Sequence, residues 1–401
     1  MKLWTQWLRA VFALRPACRR ARTFAWTVLV LVGLCCRAAN AGVTSFVRVL
    51  NFSGQAYRRF LHLFHSISLD LDLLTSCWVR LCLVLFRPFE VHSRLVCLAD
   101  GIKAPKEGRR MPGVKYLHKS SASNTKPEYI MGHSLQAISL LVHSGGAQVA
   151  ALPLTSRIHE GLVFSNRDAR TLLDKLVALL LSITRACDRK VLLVADAYYA
   201  SGKVITPLLA NGHQLPTRAK SNAVAYLPAP QSKHRGKGQP KIYGEEVRLK
   251  DLAQDDSAFI CAPNPVYGER DVTVRYRVLD LMWRPVGRIV RFCVVYHPVR
   301  GTIFLLSTDT APNLWRCLNS TATDSRSSWV FAKPSAASCM PTTFMFSSDA
   351  SLRGHCSTCP SITPLRFGAA FAVADFAPDL AKIMIKYRKH DPASDIDRLA
   401  A

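Results

Sequence analysis

The first 69 residues contain no acidic side chain: Asp70 is the first, after ten Lys and Arg. This excludes a surface knitted from Glu–Lys pairs in that stretch. Over the whole chain Lys+Arg 53 stand against Asp+Glu 27, a formal net charge of +26. Such an excess points to a polyanion, nucleic acid or anionic membrane, and the charge alone does not choose between them. Long apolar runs are also lacking. Phe24 to Cys36 gives 13 residues, short of the roughly 20 that a membrane-spanning helix needs. Regular cysteine spacing is missing as well. Thirteen cysteines form an odd, scattered set, which argues against a closed disulfide framework. Free thiols suit a reducing compartment, so a cytoplasmic protein without stable membrane association is expected. What is present, 49% hydrophobic and 20% charged residues over 401 positions, excludes wholesale disorder and suffices for two to three compact units.

The N-terminus allows two readings. Arg19, Arg20 and Arg22 precede Phe24–Cys36, and Ala39-Asn40-Ala41 follows, the order of a secretory signal. The same run also fits a buried helix in a basic helical domain, and that reading is preferred because nothing downstream has a secreted texture. Trp4, Trp7, Leu8, Val11 and Leu14 recur at helical spacing, and Leu69 to Phe86 continues the pattern. Residues 1–90 therefore read as a basic helical domain.

A different texture starts at Arg94. Leu95-Val96-Cys97-Leu98-Ala99 reads as a buried strand ending on Asp100, and Val191-Leu192-Leu193-Val194-Ala195 as another ending on Asp196. Strand candidates Gln136–Val142 and Gln148–Leu154 and a helix over Asn166–Ile183 lie between them, and a further helix is expected over Ser201–Asn211. In an α/β sheet, ligands and catalytic groups collect at the C-terminal ends of strands. A lone strand-end Asp is usually a turn former or cap. Two together are costly without a cation, and hard divalent ions prefer such oxygen ligands. Residues 232–241 form a basic, Gly- and Pro-containing loop with Lys233, Arg235 and Lys237, readable as a solvated linker or as a phosphate contact. Val272–Leu279, Gly287–Tyr296 and Thr302–Thr308 alternate like antiparallel strands.

These residues resemble the DDE transposases of bacterial insertion sequences. Leu98-Ala99-Asp100-Gly101-Ile102-Lys103 and Pro105-Lys106-Glu107-Gly108-Arg109 look like the first catalytic block. Lys126 to Ser134 and Phe164 to Asp168 fit it too, Val194 to Tyr199 looks like the second block, and Ser307-Thr308-Asp309 like the strand before the third. The resemblance implies a ribonuclease-H-like mixed α/β sheet with flanking helices. Its core would run over 91–225, be interrupted by a β-rich insertion over 226–302, and resume in a last core strand over 303–313. It also implies metal-dependent DNA cleavage and strand transfer at terminal inverted repeats, with two Mg²⁺ (or Mn²⁺) held by Asp100 and Asp196, and it allows a homodimer. Lys103, Lys106, Arg109 and Arg110 would contact DNA phosphates near the first Asp.

The family's third block, a helix carrying Tyr-x-x-Arg-x-x-x-Glu, should follow Asp309, and it does not. Residues 319–343 instead hold six Ser and four Thr among 25. A shifted reading frame restores the block. Taking the third base of each codon with the first two of the next, with allowed wobble bases, Leu314 to Ser335 can encode LEVPELYGYRFKIELGFRQAV. The missing Glu then falls across Ser327 and Ser328. Residues 314–401 are accordingly expected to be an out-of-frame tail, in which His355 and Cys356-Ser357-Thr358-Cys359 form no designed metal site. Two alternatives stay open: a catalytically dead DNA-binding remnant, and a secreted or membrane-associated basic protein.

Overall fold

The computed structural model describes residues 2–36, 43–105, 114–118, 129–145, 148–159, 170–230, 241–255, 258–263, 272–299 and 301–310. They fall into two units that divide after Leu85.

The first unit is helical: α1 (Lys2–Phe12), α2 (Ala21–Cys36), α3 (Val43–Val49), α4 (Gly54–His65) and α5 (Leu71–Leu85). The apolar run Phe24–Cys36 lies within α2. Leu29 and Val32 are buried with Leu50, Phe60 and Leu63, and Trp26 meets Phe60 edge-on at 4.9 Å. At a second contact Phe24 packs with Val11 and Cys18. The run is thus the core of a small bundle, where burying each large side chain contributes about 1.5–3 kcal/mol. No described helix is long and apolar enough to cross a membrane.

The second unit is a mixed sheet with helices. Its strands are β1 (Glu90–Val91), β2 (Arg94–Pro105), β3 (Lys115–His118), β4 (Tyr129–Gly145), β5 (Gln148–His159), β6 (Val191–Ala195), β7 (Pro216–Arg218), β8 (Val224–Pro228), β9 (Tyr243–Arg248), β10 (Ile260–Pro263), β11 (Thr273–Trp283), β12 (Arg288–His297) and β13 (Gly301–Ser307). The core order is β5-β4-β2-β6-β7. Of the first three core strands, β2 and β5 each run antiparallel to β4 between them; β6 returns parallel to β2, and β7 is parallel to β6. This is the ribonuclease-H-like arrangement of an α/β fold.

Central strands read as continuous apolar runs because both of their faces are covered. Leu95, Val96, Cys97, Val191 and Leu193 are all 2% exposed or less. The β5-to-β6 crossover contains α6 (Leu172–Cys187), whose Leu176, Leu180 and Ile183 are buried. The helix expected to start at Asn166 starts at Leu172. Thr171 is extended and caps it, its hydroxyl accepting from the Asp174 amide while the Asp174 carboxylate accepts from the Thr171 amide. Such a reciprocal cap satisfies two otherwise orphan donors. Residues 160–169 lie outside the described set.

The antiparallel strands β8 to β12 extend the same sheet. β13 pairs with β12 on one side and with β7 on the other, joining them to the core. The hairpin between β11 and β12 presses on α7 (Gly202–Ala210). A Cβ on Gly202 would sit 2.0 Å from the Pro285 carbonyl oxygen, so only glycine fits. The tail over 314–401 lies outside the described residues.

Leu180→Ala, emptying a fully buried site on α6, is expected to destabilise the protein by about 2–5 kcal/mol. Thr171→Ala, removing the cap, should cost about 1 kcal/mol. Urea unfolding followed by circular dichroism measures both, and an equal or reversed ranking would contradict this packing.

Candidate active site

Parallel pairing of β2 with β6 aligns Leu98 with Val194 and Ala99 with Ala195. The next residue on each strand is an aspartate, Asp100 and Asp196. Neighbouring strands lie about 4.8 Å apart, and side chains alternate between faces. Equal parity in an in-register pair therefore sends both carboxylates to the same face, just past the end of β6 and midway along β2, which continues to Pro105. The apolar side chains behind them, Val96, Leu98, Leu192 and Val194, belong to one cluster with Leu141.

Each carboxylate is oriented locally. Asp100 Oδ1 accepts from the Gly101 amide at 2.7 Å, and Asp196 Oδ1 accepts from the Ala197 amide at 2.7 Å. The second bond caps a short 3-10 turn over Ala197–Tyr199. Behind Asp196, the Thr217 hydroxyl on β7 lies 3.0 Å from the Ala195 carbonyl oxygen and 2.9 Å from that of Asp196, fixing the backbone that carries the second acid. Tyr199 is 2% exposed and donates to Gln136 Oε1 at 2.7 Å. A Cβ on Gly101 would stand 3.4 Å from the Tyr199 hydroxyl, and Gly101 pairs with Gln136, so this bond packs on the face of β2 opposite the Asp100 carboxylate.

Burial, and then the charge of Asp196, push the Asp100 carboxyl up to about 6 against the pull of the Gly101 amide. Burial is also the main reason the Tyr199 phenol is raised. Among the described residues neither aspartate has a Lys or Arg ion partner. Two adjacent carboxylates without a counter-charge are a donor set that suits a hard divalent cation. No described group of three or more His, Cys, Asp or Glu could hold a metal, so the described residues supply two ligands and not a complete cage.

Two further described acids lie elsewhere. Asp309 follows β13, which runs antiparallel to β7, and stands 3.9 Å from His92. It therefore sits at the edge of the sheet opposite Asp100 and Asp196. Glu246, on β9, pairs with Arg248 at 2.9 Å. Of the basic residues expected at DNA, Lys103 extends from β2 beyond Asp100 and donates from Nζ to the His118 carbonyl. Lys106, Arg109, Arg110, Lys233, Arg235 and Lys237 lie outside the described residues, as does Glu269. Thr217 and Gln136 were invisible in the sequence, since each acts over a long separation and neither belongs to a local motif.

The raised carboxyl gives a signed pH dependence. A carboxyl whose folded pKa lies above its unfolded value near 4 binds its proton more tightly when folded. Asp100 therefore favours folding most below about pH 4, and this contribution is lost as pH rises through about 6. Asp100→Asn should flatten the fall in Tm between pH 4 and 7. A fall identical to that of the parent would contradict the burial and repulsion at this position.

The sequence profile described as DDE superfamily endonuclease matches residues 13–277. No curated protein matches this chain. A cryo-EM structure described as a piggyBac transposase synaptic complex with hairpin DNA is similar at a TM-score of 0.39 and 11% identity, covering 94% of this chain and 74% of that one; so loose a likeness adds no argument. The profile match spans well over half of the 401 residues, and the chain belongs to the DDE superfamily endonuclease family.

Proposed function

We propose that this chain is an insertion-sequence transposase whose ancestor cleaved and transferred DNA strands at terminal inverted repeats, and that this copy binds DNA without cutting it. The observation that carries the reading is the alignment of Ala99 with Ala195, which makes Asp100 and Asp196 neighbours on one face. The two aspartates would hold Mg²⁺ or Mn²⁺, two ions when the ligand set is complete. Bound divalent ions polarise a phosphoryl oxygen and make a potent nucleophile of water at neutral pH. The chain's own residues provide the rest. Thr217 and the Gly101 and Ala197 amides set the aim of both carboxylates, and the Tyr199–Gln136 bond ties the turn after Asp196 to β4 from the opposite face. The excess of Lys and Arg draws the phosphate backbone in, with an affinity that falls as salt rises. The place of action is the bacterial cytoplasm, and a homodimer would bring two ends together.

Inactivity follows from the third ligand. A neutral Ser at 327 and 328 replaces the carboxylate expected there. The shifted-frame reading agrees with the geometry of the sheet. Asp309 lies at the level where β6 begins, so the next segment must travel back along β6 to reach Asp196. Five residues of strand rise about 17 Å. A helix from position 314 to position 327 spans about 20 Å, enough to return a Glu to the level of the pair.

The nucleotide sequence across codons 300–345 tests the reading first, and a one- or two-base indel near Asn313 is expected. Repairing the frame should produce a chain that nicks DNA bearing the inverted repeats flanking its gene when Mg²⁺ is added. The present chain should bind that DNA and leave it intact, and Asp196→Asn in the repaired chain should abolish nicking. Failure of any shifted frame to encode the Tyr-x-x-Arg-x-x-x-Glu helix, or nicking by the present chain, would overturn the assignment of inactivity.

A further inference from the structure

Away from the aspartates, β3 and β4 carry an unusual exposed pair. Tyr116 is 67% exposed and Tyr129 is 45% exposed. Their rings stack at 5.1 Å between centroids, within 3° of parallel. His118 meets Tyr129 edge-on at 5.1 Å. The register explains the meeting: Tyr116 pairs with Met131 and His118 with Tyr129, so the three aromatic side chains share one face of the ribbon. That face is also the face of Asp100, because Asp100 pairs with Ala137, which has the same parity as Tyr129 and Met131 on one unbroken stretch of β4. Ala137 and Tyr129 are eight residues apart, about 27 Å along the strand.

Stacking on each other covers only one side of each ring and leaves a wide aromatic surface in water. Core packing does not account for rings this exposed. The chain that carries them is strongly basic, with a formal net charge of +26, and Lys103 on β2 and Lys115 on β3 are described cations of these strands. The Lys103 ammonium, bonded to the His118 carbonyl, ties β3 to β2 and steadies the aromatic edge. Exposed flat rings on a strongly basic chain supply the two components of a single-strand platform, one stacking on bases and the other attracting phosphates.

We propose that Tyr116 and Tyr129, with His118 at their edge, form a stacking platform for an unpaired base of DNA. The platform lies on the strand face that carries Asp100 and is distinct from the carboxylate pair. The inference rests on the DNA-binding reading above and adds a strand-end preference to it. Bases inside a duplex already stack on their neighbours, so the platform serves a frayed end or an overhang and contributes little on a blunt duplex.

The test uses the full chain at low salt with two DNA probes: a blunt duplex, and the same duplex with a short 3′ overhang containing 2-aminopurine. The wild-type protein should bind the overhang probe more tightly and quench its fluorescence. Tyr116→Ala and Tyr129→Ala should each weaken overhang binding by roughly tenfold and lose the quench, with blunt-duplex affinity unchanged. Tyr116→Phe and Tyr129→Phe should retain both properties. Tyr116→Leu and Tyr129→Leu keep apolar packing without a flat ring, and they should behave like the alanine variants. Equal overhang binding by the wild-type, alanine and leucine proteins would overturn the platform alone. So would equal losses on both probes. If the wild-type protein binds neither probe, the DNA-binding reading fails and the platform falls with it.

Discussion

Two like charges held side by side set the terms for this protein. The parallel ladder between β2 and β6 leaves the backbone no freedom at Ala99 and Ala195, so the acids that follow must stand about one strand spacing apart. The ladder is anchored by side chains that are almost wholly buried, and slipping it by one residue would turn every one of them to the wrong face. Packing therefore wins over repulsion. The unfavourable electrostatics surface as a carboxyl that holds its proton up to about 6 and as a site that favours a cation.

The rest of the second unit supports that constraint. The crossover helix α6 covers one face with Leu176, Leu180 and Ile183. β7 contributes Thr217, whose hydroxyl steadies the carbonyls of Ala195 and Asp196. β13 carries the chain to the opposite edge of the sheet, where Asp309 meets His92. On the proposed reading, a third ligand carried by the chain after Asp309 would have to return along the sheet to reach the pair. For that reason a frame slip just after Asp309 would spare the fold described here while removing the chemistry.

The apolar runs before Asp100 and Asp196 were legible because burial on both faces imposes that pattern; the strand expected to end on Asp100 instead runs on to Pro105, since pairing with β4 continues to Gly132. The helices α1 and α5 were legible because their apolar side chains recur at helical spacing, and α2 was legible as the apolar run Phe24–Cys36. The start of α6 was set six residues early, because Thr171 caps it through a bond to Asp174 that hydrophobic periodicity does not register. The bond from Tyr199 to Gln136 crosses 63 residues and the support from Thr217 crosses 21. No local pattern announces either. Tyr116 and Tyr129 are 13 positions apart, and only the β3–β4 register shows that they meet. The two tyrosines of the second block part ways: Tyr199 is buried, while Tyr198 is 56% exposed and meets Tyr199 edge-on.

Binding of Mn²⁺ at neutral pH, counted by the loss of the free-ion electron paramagnetic resonance signal, tests the central claim most directly. The account predicts weak, saturable binding by the present chain that disappears in both Asp100→Asn and Asp196→Asn while folding is retained. Binding that survives both substitutions, or none in the parent at any Mn²⁺ concentration, would contradict it.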